Sequence, residues 1–375
     1  MVNILHLRDT AIVCGPGKTI IETACAATSD FCHKVGLFLL NSETSNAYQE
    51  AATRRGVEVL PIRSSHRFDP RIVATIRRLV KTHQIDIIHS HEYKSDLLAF
   101  AVSRLHRVPI MTTIHGFIRN DAKYKLYIRA GQTVLPWFDR VVAVSEETRR
   151  AILACGVPAE KIAVIHNAIV TEHYRPQDHA KGYLRDRFSI PREAPLVGYI
   201  GRLSPEKGQG DLLAAVAMIR DRHPDLHVAV IGDGPDRKKL EDEARALGLG
   251  NRVLFTGHLS DVKGVYRDLD LLALTSHTEG FPNVVLEALC MEVPVLANDV
   301  GGVREVIEDG VTGLLGIAGQ PDSVARGLCR LLENRAWARD LAIKGKEVVY
   351  DRFSFPSRVA KEEALCREIL ELRTR

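Results

Sequence analysis

The stretch Glu279-Gly-Phe-Pro-Asn-Val-Val-Leu-Glu287, continuing as Ala-Leu-Cys-Met-Glu-Val-Pro-Val-Leu-Ala, carries two glutamates eight positions apart. The first lies on a Gly-Phe-Pro turn and the second inside an apolar helix. Pro282 suits the first helical turn, where its missing N–H costs nothing. The free N–H groups of that turn point out of the helix start and attract anions. The segment thus offers two carboxylates and a phosphate-binding helix start, the groups needed to bind a sugar attached to a nucleoside diphosphate.

Short runs of Val, Ile and Leu alternate with amphipathic stretches along most of the chain. Such runs are typical of parallel strands covered on both faces by helices. Repeated β-α-β units predict parallel sheets with right-handed crossovers, and two successive sets predict two doubly wound Rossmann-like domains. We expect strands at 2–7, 35–40, 57–62, 85–89, 110–114, 141–144, 162–165, 196–200, 228–231, 253–255, 271–274, 295–297 and 313–315.

The chain of 375 residues is too long for one ordinary domain, so two domains are the natural count. Residues 171–195 are polar, carry three prolines and interrupt the alternation, and we interpret them as a hinge. The first domain is therefore expected at 1–170 and the second at 196–355. In a doubly wound sheet, ligands bind at the carboxyl ends of the strands. We expect the chemistry in a cleft between the two domains.

Composition and charge are those of an ordinary globular protein, with 26% charged residues and a formal net charge of +4. This mild charge does not indicate a nucleic-acid partner. The seven cysteines are odd in number and irregularly spaced, which indicates thiols in a reducing compartment rather than disulfides or zinc ligands. We expect neither a signal peptide nor a membrane-spanning run. We expect a cytoplasmic protein.

A second motif, Gly201-Arg202-Leu-Ser-Pro-Glu-Lys207-Gly208, follows the first strand of the second domain. Its arginine and lysine fall on the loop at the carboxyl end of that strand, and its glycines permit close backbone approach. A guanidinium binds phosphate oxygens in bidentate fashion, and an ammonium adds a compact charge. The motif predicts a diphosphate site, and a solvated basic loop is the plainer alternative.

Two glycine-rich turns exclude other functions. Gly232-Asp-Gly234 would begin a dinucleotide fingerprint, but the third glycine is replaced by Arg237, which argues against an NAD enzyme. Gly15-Pro-Gly17-Lys-Thr resembles the end of a P-loop, but that motif needs a glycine where the chain has Ile12, so a nucleoside triphosphatase is not expected. A glycine-rich turn before a helix still provides an anion site.

Taken together, these motifs resemble those of the retaining glycosyltransferases of family 4, which have the GT-B architecture. The first motif is similar to the family's E-x7-E signature and the second to its G-R-L-x-x-x-K-G segment. The resemblance implies that Glu279 holds hydroxyls of the donor sugar and that Glu287 holds the ribose. It also implies that Arg202 and Lys207 hold the diphosphate, helped by the helix start near Asn283.

The resemblance extends to further residues of the donor site. His115, in a strand-end His-Gly pair, matches the histidine that orients the donor sugar. Together with Glu279, Arg202 and Lys207 it forms the expected catalytic set. The remaining donor-binding residues are expected to be Gly15, Gly17, Gly201, Gly232, Gly257, His258, Gly280, Phe281 and Pro282. The Gly-Pro-Gly order at 15–17 departs from the family's usual Gly-Gly. The family also ends in a helix that crosses back to the first domain, here expected at about 356–375.

No cofactor and no metal is expected. His89 and His91 form an H-x-H pair, but no third ligand is evident, so we interpret them as part of the cleft wall near the acceptor. Asp268 and Asp270 spell D-x-D, yet they lead into a buried strand and predict an ordinary loop. Basic residues at 119, 123, 125 and 129 alternate with apolar ones, which suits an anionic membrane surface or, equally, a solvated helix.

The resemblance implies transfer of a sugar from a nucleoside-diphosphate sugar, with uridine as the default base, to an acceptor hydroxyl in polysaccharide, lipid-linked glycan or glycoconjugate synthesis. The acceptor is expected to be a sugar, a lipid-linked molecule or a small molecule. It implies retention of anomeric configuration by a front-face mechanism, in which the departing phosphate takes the acceptor proton and no protein base is needed. Domain closure would exclude water and limit donor hydrolysis. Two alternatives stay open: a nucleotide-sugar epimerase of the same architecture, and a non-catalytic subunit that binds nucleotide sugars.

Overall fold

The computed structural model describes residues 1–10, 15–66, 69–116, 122–259 and 261–374, with the side chains of 122–127 and 374 left out. The chain forms two compact units. The first comprises Met1–Ala168 together with Phe355–Arg375, and the second comprises Ile169–Ser354.

The first unit contains a parallel sheet of seven strands in the order β3-β2-β1-β4-β5-β6-β7. Its strands are β1 (Val2–Arg8), β2 (Phe31–Leu40), β3 (Glu58–Ser64), β4 (Ile87–Ser90), β5 (Ile110–Ile114), β6 (Arg140–Ala143) and β7 (Ile162–Val164). Its helices are α1 (Gly15–Ala26), α2 (Ala47–Arg54), α3 (Arg71–Thr82), α4 (Tyr93–His106), α5 (Ala122–Val134) and α6 (Glu146–Leu153), followed after the second unit by α14 (Phe355–Thr374).

The second unit contains a parallel sheet of six strands in the order β10-β9-β8-β11-β12-β13. Its strands are β8 (Leu196–Ile200), β9 (His227–Ile231), β10 (Val253–Gly257), β11 (Leu271–Leu274), β12 (Val295–Asn298) and β13 (Leu314–Gly316). Its helices are α7 (Tyr183–Phe188), α8 (Gln209–Ile219), α9 (Arg237–Ala246), α10 (Val262–Asp268), α11 (Asn283–Cys290), α12 (Pro321–Glu333) and α13 (Arg335–Arg352).

Both sheets have the doubly wound order expected from the sequence, and every expected strand overlaps an observed one. The buried residues explain why. All five residues of β8 and all four of β11 are buried, because helices cover both faces of a parallel sheet. The strand order reverses between β1 and β4 in the first unit and between β8 and β11 in the second. Loops on the two sides of such a reversal diverge and leave a crevice at the carboxyl ends.

Residues 171–195, interpreted above as a hinge, lie inside the second unit. Asp268 accepts hydrogen bonds from the backbone N–H groups of Gly182 and Leu184, both at 2.6 Å. Tyr174 is 3% exposed, so the segment has a buried anchor as well. Its polarity and prolines reflect short turns fixed by carboxylates rather than a free linker.

The C-terminal helix α14 belongs to the first unit. Its apolar residues Leu365, Cys366 and Ile369 pack into a cluster with Ile4 of β1 and Met111 of β5. This packing buries one face of the first sheet with the last residues of the chain.

Candidate functional site

The loops that follow β8 and β11 carry the main charged residues predicted for the donor site. These two strands are neighbours at the reversal point of the second sheet, so their loops begin side by side. The β8 loop supplies Arg202 and Lys207, and the β11 loop supplies Ser276 and Glu279.

Lys207 and Glu279 form an ion pair in which Lys207 Nζ lies 2.6 Å from Glu279 Oε1. Ser276 donates a hydrogen bond to the same oxygen, also at 2.6 Å. The Glu279 side chain is 9% exposed, so these partners offset the cost of removing its carboxylate from water. Among the described residues, no group donates to Oε2. One carboxylate oxygen is therefore fixed by the protein, and the other is left to accept a ligand hydroxyl.

The Arg202 side chain is exposed and pairs with no carboxylate among the described residues. Its backbone carbonyl accepts a hydrogen bond of 2.7 Å from Gln209 Nε2, which ties this loop to the first turn of α8. An anchored backbone with an unpaired guanidinium suits an anion-binding role, because no internal ion pair has to break first.

Glycines let these loops pack against one another. Gly208 has a φ of +61°, and a Cβ there would lie 2.1 Å from the carbonyl oxygen of Thr275. Gly301, with a φ of +57°, would place a Cβ 1.9 Å from the carbonyl oxygen of Glu279. Neither position tolerates a side chain, so both glycines hold the backbone that carries the glutamate. At Gly232 a Cβ would meet the carbonyl of Gly201 at 2.0 Å, so this predicted donor residue also serves loop packing.

Glu287 of α11 is 8% exposed and accepts hydrogen bonds from two tyrosines. Tyr174 donates to Oε1 at 2.8 Å, and Tyr266 of α10 donates to Oε2 at 2.9 Å. Burial, followed by the charge of Glu287, raises the pKa of Tyr266 well above its ordinary value, so this phenol stays a donor. To bind the ribose as predicted, the Glu287 carboxylate has to use oxygen lone pairs that are not bonded to the two tyrosines.

The start of α11 differs from the sequence expectation. The helix begins at Asn283, and Pro282 is the capping residue, with φ −86° and ψ 99°. The side-chain oxygen of Asn283 is buried and has no partner among the described residues. Phe281 is 6% exposed and packs on Phe353, with ring centroids 5.3 Å apart. Its ring is thus part of the core, and only its backbone is left for a ligand role.

Two further predicted residues lie at the end of β10. Gly257 accepts a backbone hydrogen bond of 3.0 Å from Gly232, which joins the β9 and β10 loops. His258 is exposed directly after it. Gly280 belongs to the β11 loop, where its carbonyl accepts a hydrogen bond of 3.1 Å from Gly302.

In the first unit, the predicted glycine turn is described only from position 15 onward. Gly15 is the first residue of α1. A Cβ at Gly17 would lie 2.8 Å from the ring of Tyr48, so this glycine makes room for a buried tyrosine. The packing explains the glycine without a ligand.

His115 follows β5, and its Nε2 lies 3.5 Å from Nδ1 of His91. Burial lowers the pKa of His115 well below its ordinary value, and the charge of Arg8 acts in the same direction. The ring is therefore neutral. His89 and His91 are 1% and 7% exposed, so both rings are buried, and their expected place in the cleft wall near the acceptor stays a prediction.

The two histidines also have more partners than the sequence indicated. Ring nitrogens of His6, His89 and His91 lie within 4.8 Å of one another, as do those of His6 and His33 with a carboxylate oxygen of Glu362. The statement that no third ligand accompanies the H-x-H pair is thereby corrected. These residues come from three strands, the position that follows β4 and the last helix, which is why local spacing did not reveal them.

The Asp268-Leu-Asp270 segment is structural, as expected. Asp268 holds the backbone of residues 182–185, and Asp270 pairs with Arg185 at 3.1 Å. The basic stretch from 119 to 129 lies largely outside the residues whose side chains are described.

Sequence reasoning missed Ser276, Tyr174 and Tyr266. A polar Thr-Ser pair directly after the buried β11 run was a usable signal for Ser276, because strand-end residues line the crevice. The two tyrosines gave no such signal, since one lies in the supposed hinge and the other in an amphipathic helix.

Comparison with known proteins places this site in a class. A family model described as Glycosyltransferase Family 4 matches residues 15–173, and one described as Glycosyl transferases group 1 matches residues 182–348. A D-inositol 3-phosphate glycosyltransferase of Frankia alni is 30% identical over 329 residues, covering 80% of this chain and 80% of that protein. A GDP-mannose-dependent phosphatidylinositol monomannoside mannosyltransferase of Mycolicibacterium smegmatis is 25% identical and covers 88% and 89%.

The fold is also that of solved glycosyltransferases. Anabaena Alr3699/HepE in complex with UDP-glucose aligns with a TM-score of 0.85 at 25% identity, covering 97% of this chain and 100% of that one. A sucrose-phosphate synthase of Thermosynechococcus elongatus aligns with a TM-score of 0.84 at 19% identity, covering 99% and 100%. The protein is thus a nucleotide-sugar-dependent enzyme of GT-B architecture and hexosyltransferase type. More narrowly, the chain belongs to glycosyltransferase family 4.

None of the described helices combines the length and the apolar character that crossing a bilayer requires.

Proposed function

We propose that this enzyme transfers a hexose from a UDP-sugar to an acceptor hydroxyl with retention of anomeric configuration and without a metal ion. The observation that carries the proposal is the arrangement of Arg202, Lys207 and Glu279 on adjacent loops of the second unit. One guanidinium, unpaired within the described part of the chain, and one ammonium supply the positive charge that a diphosphate needs. One carboxylate oxygen is free, among the described residues, to accept a sugar hydroxyl.

In the proposed reaction, the bond between the anomeric carbon and the diphosphate breaks while a bond to the acceptor oxygen forms on the same face. The acceptor proton passes to the departing diphosphate, so no protein base is required. Arg202 and Lys207 stabilise the negative charge that develops on the leaving group. Glu279 holds the sugar hydroxyls and Glu287 contacts the ribose. The role of His115 toward the donor sugar remains a prediction.

UDP is the proposed nucleotide because a protein with bound UDP-glucose shares the fold at 25% identity. A relative described as GDP-mannose-dependent makes guanosine the competing base. The acceptor belongs to glycan or glycoconjugate synthesis in this proposal, and the reaction is cytoplasmic because the described cysteines are free thiols. Nothing in the site favours the epimerase alternative.

The test is a thermal-shift and calorimetric screen of UDP, GDP and ADP and their sugars, with and without EDTA, followed by NMR of the product. A ligand that binds the folded state raises the melting temperature by an amount set by concentration over affinity. The proposal expects UDP to bind, EDTA to change nothing, and the product to keep the donor's anomeric configuration. Binding of GDP alone would refute uridine as the base of the donor. A product with inverted anomeric configuration would refute the retaining reaction.

A further inference from the structure

Four histidines of the first unit, His115, His91, His6 and His33, form a continuous hydrogen-bonded chain, here called the histidine chain. His91 Nε2 lies 2.9 Å from His6 Nδ1, and His6 Nε2 lies 2.8 Å from His33 Nδ1. The contact of 3.5 Å between His115 Nε2 and His91 Nδ1 is the longest link. Stacking accompanies the bonding, since the ring centroids of His6 and His33 are 5.1 Å apart and those of His6 and His91 are 5.2 Å apart.

Every link of this chain joins Nδ1 of one ring to Nε2 of the next. A neutral imidazole donates from one nitrogen and accepts at the other. The four rings can therefore be satisfied together only if all carry the proton on the same kind of nitrogen. In either case the two end atoms are left over. These are His115 Nδ1 and His33 Nε2, both buried and both without a partner among the described residues.

Charged groups at the two ends distinguish the two tautomers. Arg8 lies on the same face of β1 as His6, two residues nearer the carboxyl end of the strand, and it pairs with Glu92 at 2.7 Å. At the other end, a carboxylate oxygen of Glu362 lies within 4.8 Å of a ring nitrogen of both His6 and His33. N–H bonds should point away from the cation and toward the carboxylate. This direction corresponds to a proton on Nε2 of each ring.

We infer that His6, His33 and His91 are positioning residues that hold His115 as a neutral Nε2–H imidazole, so that its Nδ1 lone pair accepts a hydrogen bond from a substrate hydroxyl. The inference rests on the proposed function of His115 toward the sugar. An unpartnered buried acceptor in a native protein needs an explanation, and a substrate hydroxyl supplies one. The low pKa of each of the four rings, caused first by burial, agrees with neutral imidazoles.

A bound metal is a weaker explanation of the same cluster. The two contacts of His6 have hydrogen-bond lengths, whereas nitrogens around one tetrahedral zinc lie about 3.3 Å apart. Both nitrogens of His6 are already used by neighbouring rings. Arg358, which is 4% exposed and near Glu362, adds a further positive charge to the surroundings.

The first test is nitrogen-15 NMR of the full chain labelled at histidine, with the rings assigned by single substitutions. The NMR spectra should show the Nε2–H tautomer for all four rings. Elemental analysis of the protein should find no bound metal. Protonation of His115 at Nδ1, a charged ring, or stoichiometric zinc would each overturn the inference. This readout needs no substrate, so it can fail or succeed independently of the proposed function.

The second test compares His33→Leu with His33→Asn. The leucine removes the acceptor for His6 Nε2–H, whereas the asparagine oxygen can replace His33 Nδ1. We expect His33→Leu to change the His115 ring signals and to lower kcat roughly tenfold, the effect of one unmade hydrogen bond. His33→Asn should restore both. If the two variants fold equally and neither changes the ring signals of His115, the histidine chain does not position that ring. If NMR shows the expected tautomers but no nucleotide sugar binds, the proposed function is wrong, whereas the inferred tautomers of the histidine chain are confirmed.

Discussion

Arg202 and Lys207 are predicted to share one ligand but to differ in what they contribute to the folded protein. Arg202 is exposed and unpaired among the described residues, so Arg202→Ala should change the free energy of unfolding by less than about 0.5 kcal/mol. Lys207 pairs at 2.6 Å with Glu279, whose side chain is 9% exposed. Lys207→Ala leaves that carboxylate with Ser276 as its remaining donor in the described ranges, which should cost about 1–3 kcal/mol of stability.

Both substitutions should weaken UDP binding. The loss of one charge-assisted contact to a diphosphate is worth about 1.5–3 kcal/mol, or roughly a 10- to 150-fold rise in Kd. The expected pattern is therefore a loss of binding alone for Arg202→Ala, and a loss of both binding and stability for Lys207→Ala.

The assay is calorimetric titration with UDP combined with urea unfolding of the same samples. Arg339→Ala is the matched control, because that arginine is exposed in the second unit and lies outside the predicted site. Equal loss of stability in the Arg202 and Lys207 variants would refute the assignment of the internal ion pair. Unchanged UDP binding in both variants would refute the phosphate site itself.

Three other predictions follow from buried polar groups and from the proposed chemistry. Tyr174→Phe and Tyr266→Phe should each lower the free energy of unfolding by about 1.5–3 kcal/mol, because each removes a hydrogen bond to the buried Glu287 carboxylate. Urea unfolding measures this, and no loss in either variant would contradict the pairing. Burial raises the pKa of Asp96 to about 7, whereas in the unfolded chain the same carboxyl has a pKa near 3.8. The protonated side chain therefore stabilises the folded protein fully below pH 3.8, and this contribution is lost as the pH rises through 7. Asp96→Asn should therefore gain stability relative to the native chain between pH 4 and 8, by at most about 4 kcal/mol, and an unchanged difference across that range would reject the buried acid. Finally, sugar transfer should proceed at the same rate in excess EDTA, and a loss that Mg²⁺ or Mn²⁺ restores would show a metal requirement.

The second unit was the easier one to predict from sequence. Its functional residues lie directly after runs of buried strand residues, and parallel strands bring their carboxyl ends to one edge. Arg202 and Glu279 could therefore be grouped from the strand pattern alone. The partners of Glu287 could not, because hydrogen bonds between a loop tyrosine and a helix tyrosine depend on packing that leaves no local pattern.

The glycines illustrate a different limit of sequence reasoning. Gly17 and Gly208 belong to loops expected near phosphate, and Gly232 was expected in the donor site, because glycine permits close approach to a ligand. The structure shows that the same property serves close approach between protein groups, with Tyr48, Thr275 and Gly201 as the respective neighbours. A glycine motif alone does not distinguish these two uses.

The histidine chain was hidden for a topological reason. His6 and His33 lie within strands β1 and β2, and His89 lies within β4, so a search of strand ends passes over them. The order β2-β1-β4-β5 nevertheless follows from the doubly wound fold that the sequence did predict. In that order β1 lies between β2 and β4, so polar residues inside these three runs must meet when they point to the same face. Applying the predicted strand order to polar residues within the strands, as well as to those at the ends, would have brought these histidines together. The face that they share depends on the register between strands, and its cover comes from the final helix. Neither the register nor the packing of that helix can be read from local sequence.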